Sequence, residues 1–174
     1  MTKILVVVDM QNDFIDGALG TKEAIAIVPA VVKKIQNFQG PVYYTRDTHS
    51  QNYMKTAEGR NLPVQHCIKG TDGWRLHPLI EKVCIDKQAY GVEKITFGSV
   101  LLPEMLREMY PEGVDELEMV GLCTDICIIS NALLLKSFFP ETTIRVDSAC
   151  CAGVTPESHQ TALDAMKMCQ IVIE

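Results

Sequence analysis

The chain has no apolar run long enough to cross a bilayer; stretches such as residues 4–8 fall far short of the ~20 residues a spanning helix needs. It has no basic patch. Sixteen Lys and Arg stand against twenty-two Asp and Glu, a net charge of −6, which argues against nucleic acid as a partner. It has no CxxC pair and no even cysteine count. Cys67, Cys84, Cys123, Cys127, Cys150, Cys151 and Cys169 make a poor disulfide framework and fit a reducing compartment. No signal-peptide cleavage pattern follows the first apolar run, so a cytoplasmic address without membrane association is expected. Repeats, low-complexity stretches and linkers are also missing, so residues 1–174 are expected to form a single domain. What is there is ordinary globular material: 174 residues, 47% hydrophobic and 22% charged, enough to bury a substantial core.

Strand-like and helix-like patterns alternate. Residues 4–8 form a continuous, mostly β-branched run, as expected for a strand covered on both faces. Residues 42–45, 83–86, 117–120, 143–146 and 171–173 complete six candidate strands. Between them, residues 29–38, 101–109, 128–139 and 158–168 carry apolar positions at helical spacing, with Pro29 placed in a first turn. This alternation predicts an α/β fold with a mostly parallel sheet and helices on both faces. The segment 49–78 differs. It is long, polar, punctuated by Gly and Pro, and holds three of the four histidines, which marks it as a functional loop.

Ligand sites in open parallel sheets lie beyond the carboxyl ends of the strands. The first candidate strand ends at Asp9, the second leads into Asp47 and His49, the third into Lys87 with Lys94 further on, and the fourth into Gly121-Leu-Cys-Thr-Asp-Ile-Cys127. Cys127 sits where a strand passes into a helix. Free amides and the helix dipole there favour a thiolate and could also hold an oxyanion. A carboxylate at Asp9, after five apolar residues, must find a partner or accept a raised pKa, and either suits a base for the thiol. The bland alternatives are a buried structural cysteine, a capping aspartate and a solvated lysine. Asp47-x-His49 places a carboxylate and an imidazole on one strand face, and Glu58 and His66 in the next loop could complete a site for a zinc-, iron- or manganese-like ion.

Four segments occur in order: Asp9-Met-Gln-Asn-Asp-Phe14, Thr45-Arg-Asp-Thr-His49, His66-Cys-Ile-Lys-Gly-Thr-Asp-Gly73 and Val120-Gly-Leu-Cys-Thr-Asp-Ile-Cys127. Together they resemble the isochorismatase-like cysteine hydrolases, whose best-known amidase members are nicotinamidases, over nearly the whole chain. The resemblance implies a Rossmann-like three-layer α/β/α sandwich with a six-stranded parallel sheet. It implies a catalytic Asp–Lys–Cys triad on Asp9, Lys87 and Cys127, with Lys94 as the alternative lysine. It places a cis peptide at Leu122–Cys123 and an oxyanion hole on the amides of Cys123 and Cys127. It implies one divalent metal, zinc favoured over iron or manganese, on Asp47, His49, Glu58 and His66. Phe14 matches the aromatic substrate clamp; Leu62 stands where the family carries a Trp, and Trp74 is the candidate to reach the site from the loop. A small-molecule substrate and a homo-oligomer are expected.

The reaction so implied is hydrolysis of a small amide through a thioester on Cys127, with nicotinamide as the first substrate to consider. Two rivals remain: hydrolysis of another small carbonyl compound, and a non-catalytic member of the fold that binds a metabolite. A third class, a thiol redox protein using Cys123 and Cys127, is disfavoured by their CxxxC spacing.

Overall fold

Strand β1 (Lys3–Val8) sends Ile4, Val6 and Val8 into one apolar layer and Leu5 and Val7 into another, and all five are fully buried. A strand with that burial on both faces belongs in the middle of a sheet covered by helices on each side. The computed structural model, which describes all residues 1–174, shows this arrangement. Strands β1, β2 (Val42–Asp47), β3 (Tyr90–Lys94), β4 (Glu116–Leu122), β5 (Thr143–Ala152) and β6 (Val172–Ile173) form one six-stranded sheet in the order β3-β2-β1-β4-β5-β6. Every neighbouring pair is parallel.

Helices α1 (Asn12–Ile15), α2 (Lys22–Asn37) and α4 (Pro78–Asp86) cover one face, using Phe14, Ile27, Val31, Ile35, Ile80 and Val83. Helices α5 (Leu101–Met109), α6 (Ile129–Phe138) and α7 (Pro156–Met168) cover the other through Leu102, Leu106, Ala132, Leu135, Leu163 and Met166. The expected six-stranded α/β/α sandwich is the observed one. No helix is long and apolar enough to cross a membrane, and all seven cysteines are free.

Three local expectations need correction. Residues 83–86 are the last turn of α4 rather than a strand; His77 caps that helix with its side chain and Pro78 opens it. The third strand lies later, at Tyr90–Lys94. Helix α2 begins well before Pro29, where the Thr21 hydroxyl accepts the Ala24 N–H, and Pro29 sits inside it on an exposed position. The long loop is partly ordered as a single 3₁₀ turn (Tyr53–Lys55) and the short helix α3 (Ala57–Asn61).

Strand order and register position the site. The order reverses between β1 and β4, the switch point at which open α/β sheets bind ligands. Val8 pairs with Gly121 and Asp47 with Lys94, so β1 ends beside β4 and β2 beside β3, all at the same edge of the sheet.

Candidate active site

Each of those strand ends delivers one polar side chain into an otherwise apolar end of the sheet. Asp9 follows β1 with a left-handed backbone, φ 47°, and is fully buried. Its carboxylate oxygens differ. Oδ1 accepts the Thr45 hydroxyl at 2.7 Å. Oδ2 lies 2.7 Å from the Lys94 ammonium, yet no donor points at it with hydrogen-bond geometry. Burial raises Asp9 above the usual carboxylate range, and the Lys94 charge opposes this only in part.

Lys94 closes β3, 4% exposed. Its ammonium reaches Asp47 Oδ1 at 3.3 Å, the Thr96 carbonyl at 3.0 Å and Cys127 Sγ at 3.4 Å. Burial alone would lower this lysine, but the charges of Asp9, Cys127 and Asp47 outweigh it and hold the amine protonated. Lys94 is therefore the lysine beside Asp9 and Cys127. Lys87, the sequence-based choice, is not. It caps the C-terminus of α4 and its ammonium donates to the Phe38 carbonyl at 2.8 Å.

Cys127 lies in a short π-helical turn, Thr124–Ile128, between β4 and α6. The peptide Leu122–Cys123 is cis, as the family resemblance implied. The Cys123 carbonyl accepts the N–H groups of Ile126 and Ile128, and the fully buried Asn131 side chain donates to the Cys127 carbonyl at 2.7 Å. Burial, then the neighbouring Asp9 charge, push the Cys127 thiol well above its ordinary value, so a base is needed to make the thiolate. Burial also pushes Cys123 up, to about 12.

Beside this trio, Asp47, His49, Glu58 and His66 turn their ligand atoms inward, all within 4.8 Å of one another. His49 Nε2 is 2.8 Å from Asp47 Oδ2 and 3.6 Å from Glu58, while His66 Nε2 is 3.5 Å and 3.7 Å from the same two carboxylates. His66 Nδ1 pairs with the Val64 carbonyl at 2.8 Å, which leaves Nε2 free to face the cluster, the usual support of a metal-ligating imidazole. Two carboxylates and two imidazoles at this spacing fit a divalent transition ion. Gln11 fixes Asp47 from behind: its side chain accepts the Asp47 N–H at 2.7 Å and donates to the Asp47 carbonyl at 2.9 Å.

A narrow cleft of about 50 Å³ opens onto both groups. Phe14, Leu19, Leu62, Phe97 and Ile126 form its apolar wall, and Asp47, Glu58, His66, Cys123 and Cys127 its polar side. Trp74 does not line it. The indole N–H donates to Thr48 at 2.9 Å and the ring lies 3.9 Å from the Arg46 guanidinium, so Trp74 packs the loop rather than the site. Sequence reasoning missed Leu19, Phe97 and Ile126 as wall residues and Thr45 as the partner of Asp9. For Lys94 a signal existed: it alternates with the apolar Val92, which places both on one strand face.

The model of the isochorismatase domain matches residues 3–174. A nicotinamidase/pyrazinamidase of Mycobacterium tuberculosis is 28% identical, covering 97% of this chain and 96% of its own length. The crystal structure of a nicotinamidase/pyrazinamidase from Bacillus subtilis superposes with a TM-score of 0.86 at 28% identity and covers 100% of both chains. A pyrazinamidase from Pyrococcus horikoshii in complex with zinc gives a TM-score of 0.82 at 26% identity, covering 100% of this chain and 99% of that one.

Proposed function

The chain belongs to the isochorismatase domain family, and from that premise we propose that it is a cysteine amidohydrolase acting on nicotinamide or a closely similar pyridine carboxamide. One observation carries the reading. The Lys94 ammonium stands 2.7 Å from Asp9 Oδ2 and 3.4 Å from Cys127 Sγ, next to a four-residue cluster of metal-ligand type. Relatives named as nicotinamidases and pyrazinamidases supply the substrate class.

In this reading Asp9 Oδ2, the carboxylate oxygen without a directed donor, takes the thiol proton of Cys127. The thiolate attacks the amide carbon, and the backbone N–H groups of Cys123 and Cys127 hold the oxyanion. Lys94 keeps the two negative groups together, and Asp9 returns the proton to the leaving ammonia. A thioester on Cys127 remains. Water enters, gives its proton to Asp9 and releases the acid. Asp47, His49, Glu58 and His66 would hold the divalent cation, zinc before iron or manganese, because zinc accepts mixed imidazole and carboxylate ligands. When bound it would supply a Lewis-acidic position for a ring nitrogen, as suits a pyridine ring lying between Phe14 and the other apolar residues of the cleft. The seven unpaired cysteines fit a cytoplasmic setting.

Ammonia release from a panel of small amides, nicotinamide and pyrazinamide included, tests the proposal on metal-replenished protein. Turnover of a pyridine carboxamide is expected, with loss of at least about 10³-fold in Cys127→Ala. No ammonia from any heteroaromatic amide, or turnover surviving in Cys127→Ala, would overturn it.

A further inference from the structure

The turn that aims Cys127 has no cap of its own. Cys123 precedes its first residue, and no side chain accepts the free N–H groups at that end. Two side chains of the turn instead reach across to α7 and to the segment that leads into it. The Thr124 hydroxyl, in a residue with no exposed surface, bonds His159 Nδ1 at 2.7 Å. The next carboxylate, Asp125, accepts the Val154 N–H at 3.1 Å. Thr124 makes no other side-chain hydrogen bond to the protein, so His159 alone satisfies that buried hydroxyl.

His159 is held where it can do this. It stands in the first turns of α7, whose start is locked by a capping box: the Thr155 hydroxyl accepts the Ser158 N–H, and the Ser158 hydroxyl accepts the Thr155 N–H. The chain entering that helix passes close against the root of His159, since a Cβ on Gly153 would come within 2.8 Å of its backbone nitrogen and 2.9 Å of its Cβ. The ring borders a separate open cleft of about 290 Å³, shared with Glu23, Ile27, Cys151 and Pro156, and touches neither the substrate cleft nor the metal cluster.

We propose that His159 is a positioning residue for the nucleophile: through Thr124 it fixes the turn that carries the Cys127 thiol and the amides of Cys123 and Cys127. The proposal rests on the cysteine-hydrolase reading above. The thiol and the Cys127 amide ride on this five-residue turn and the Cys123 amide leads directly into it, so a small rotation of the turn moves them relative to Asp9 and Lys94. Misplacement of about 1 Å at such a site costs about 10²-fold in rate. A neutral imidazole suits the role because one ring nitrogen can accept the hydroxyl proton. Burial lowers His159 from its ordinary value, with Asp125 opposing, which keeps the ring neutral near pH 7.

The experiment uses five variants of the intact protein and three readouts. His159→Ala and Thr124→Val should each lower kcat for the amide substrate by about 10- to 100-fold with KM changed by less than about twofold. His159→Gln and Thr124→Ser, which keep an acceptor and a hydroxyl, should stay within about threefold of the parent. The double variant His159→Ala/Thr124→Val should be no worse than the poorer single one, because both remove the same bond. Alkylation of Cys127 by iodoacetamide, which needs no amide substrate, should slow in the same order. Melting temperature, recorded in parallel, separates loss of fold from loss of alignment. Parent-like kcat and alkylation in His159→Ala would overturn the proposal. So would equal damage in His159→Gln and His159→Ala, or additive losses in the double variant. Should the parent hydrolyse no amide at all, the hydrolase reading fails by itself, and the alkylation series still decides the part of His159.

Discussion

Asp9 shows how one residue acquires its role from unlike surroundings. Thr45 secures Oδ1, while Oδ2 has an ammonium nearby and no aligned donor. Burial raises the carboxyl, so the proton-accepting form exists only above a value higher than the usual carboxylate range. The sign follows: as pH falls through that raised value Asp9 becomes protonated, and kcat/KM falls with it. The acid limb should lie above the usual carboxylate range, and Asp9→Asn should lose about 10²–10⁴-fold in turnover and show no such limb in Cys127 alkylation. Alkylation unchanged by Asp9→Asn at every pH would remove Asp9 as the base. The lysine makes a second residue-scale test. Lys94→Ala should lose at least about 10²-fold in kcat/KM, whereas Lys87→Ala should stay within about twofold, since Lys87 only donates to the Phe38 carbonyl. The opposite ranking, in variants that melt like the parent, would return the role to Lys87. Asp9, Cys127, Asp47 and His49 were legible because their motifs sit at strand ends, and Glu58 and His66 because the polar loop that follows the second strand matches the family's pattern. Trp74 was not, because sequence names a lone indole without saying that Thr48 and Arg46 hold it elsewhere.

At the scale of elements, the error over the lysine was an error over a strand. Residues 83–86 are a short apolar run, which periodicity cannot assign to helix or strand. The His77 cap and Pro78 decide for helix. The true β3 lies at the sheet edge, and only Val92 and Lys94 of it are buried, so it lacks the continuous hydrophobic run that made β1 obvious. Helix α2 was foreshortened for a similar reason: Pro29 reads as a helix start, yet it is tolerated mid-helix where it faces solvent. Strand β5 outran its expected end because the apolar alternation stops at Val146, before the polar Asp147-Ser148, while the strand continues to Ala152. Gly121 tests how tightly these strands set the site. Its φ is 120°, and a Cβ there would lie 2.2 Å from the Val8 carbonyl oxygen, one residue before Asp9. Gly121→Ala should therefore cost more than about 2 kcal/mol of stability, read by urea denaturation, and any folded fraction should turn over slowly. A variant as stable and active as the parent would mean that β1 and β4 can part without disturbing Asp9.

Over the whole molecule, the sandwich gathers groups that its own core could not tolerate singly. Four strands end at the same edge of the sheet, and two carboxylates, two imidazoles, an ammonium, a further carboxylate and a thiol converge there from distant parts of the sequence. Layer architecture was legible, because alternation of apolar patterns reports it. The convergence was not, because register and strand order exist only in the folded chain. The cluster of Asp47, His49, Glu58 and His66 carries a consequence for the stability of the entire fold. Burial, and then the nearby Asp47 charge, raise Glu58 above its ordinary value against the pull of His49. A divalent ion that binds the folded chain and not the unfolded one adds stability in proportion to the logarithm of its concentration over Kd, about 2.7 kcal/mol at a hundredfold excess. For a domain of this size that is roughly 5–10 °C in Tm. Chelation should lower the melting temperature by about that amount, and zinc should restore it, with manganese and iron compared at the same concentration. His49→Ala should melt at one temperature whether or not metal is present. A parent protein whose Tm ignores both chelator and metal would end the ligand assignment and leave the chemistry of Asp9, Lys94 and Cys127 to be judged by turnover alone.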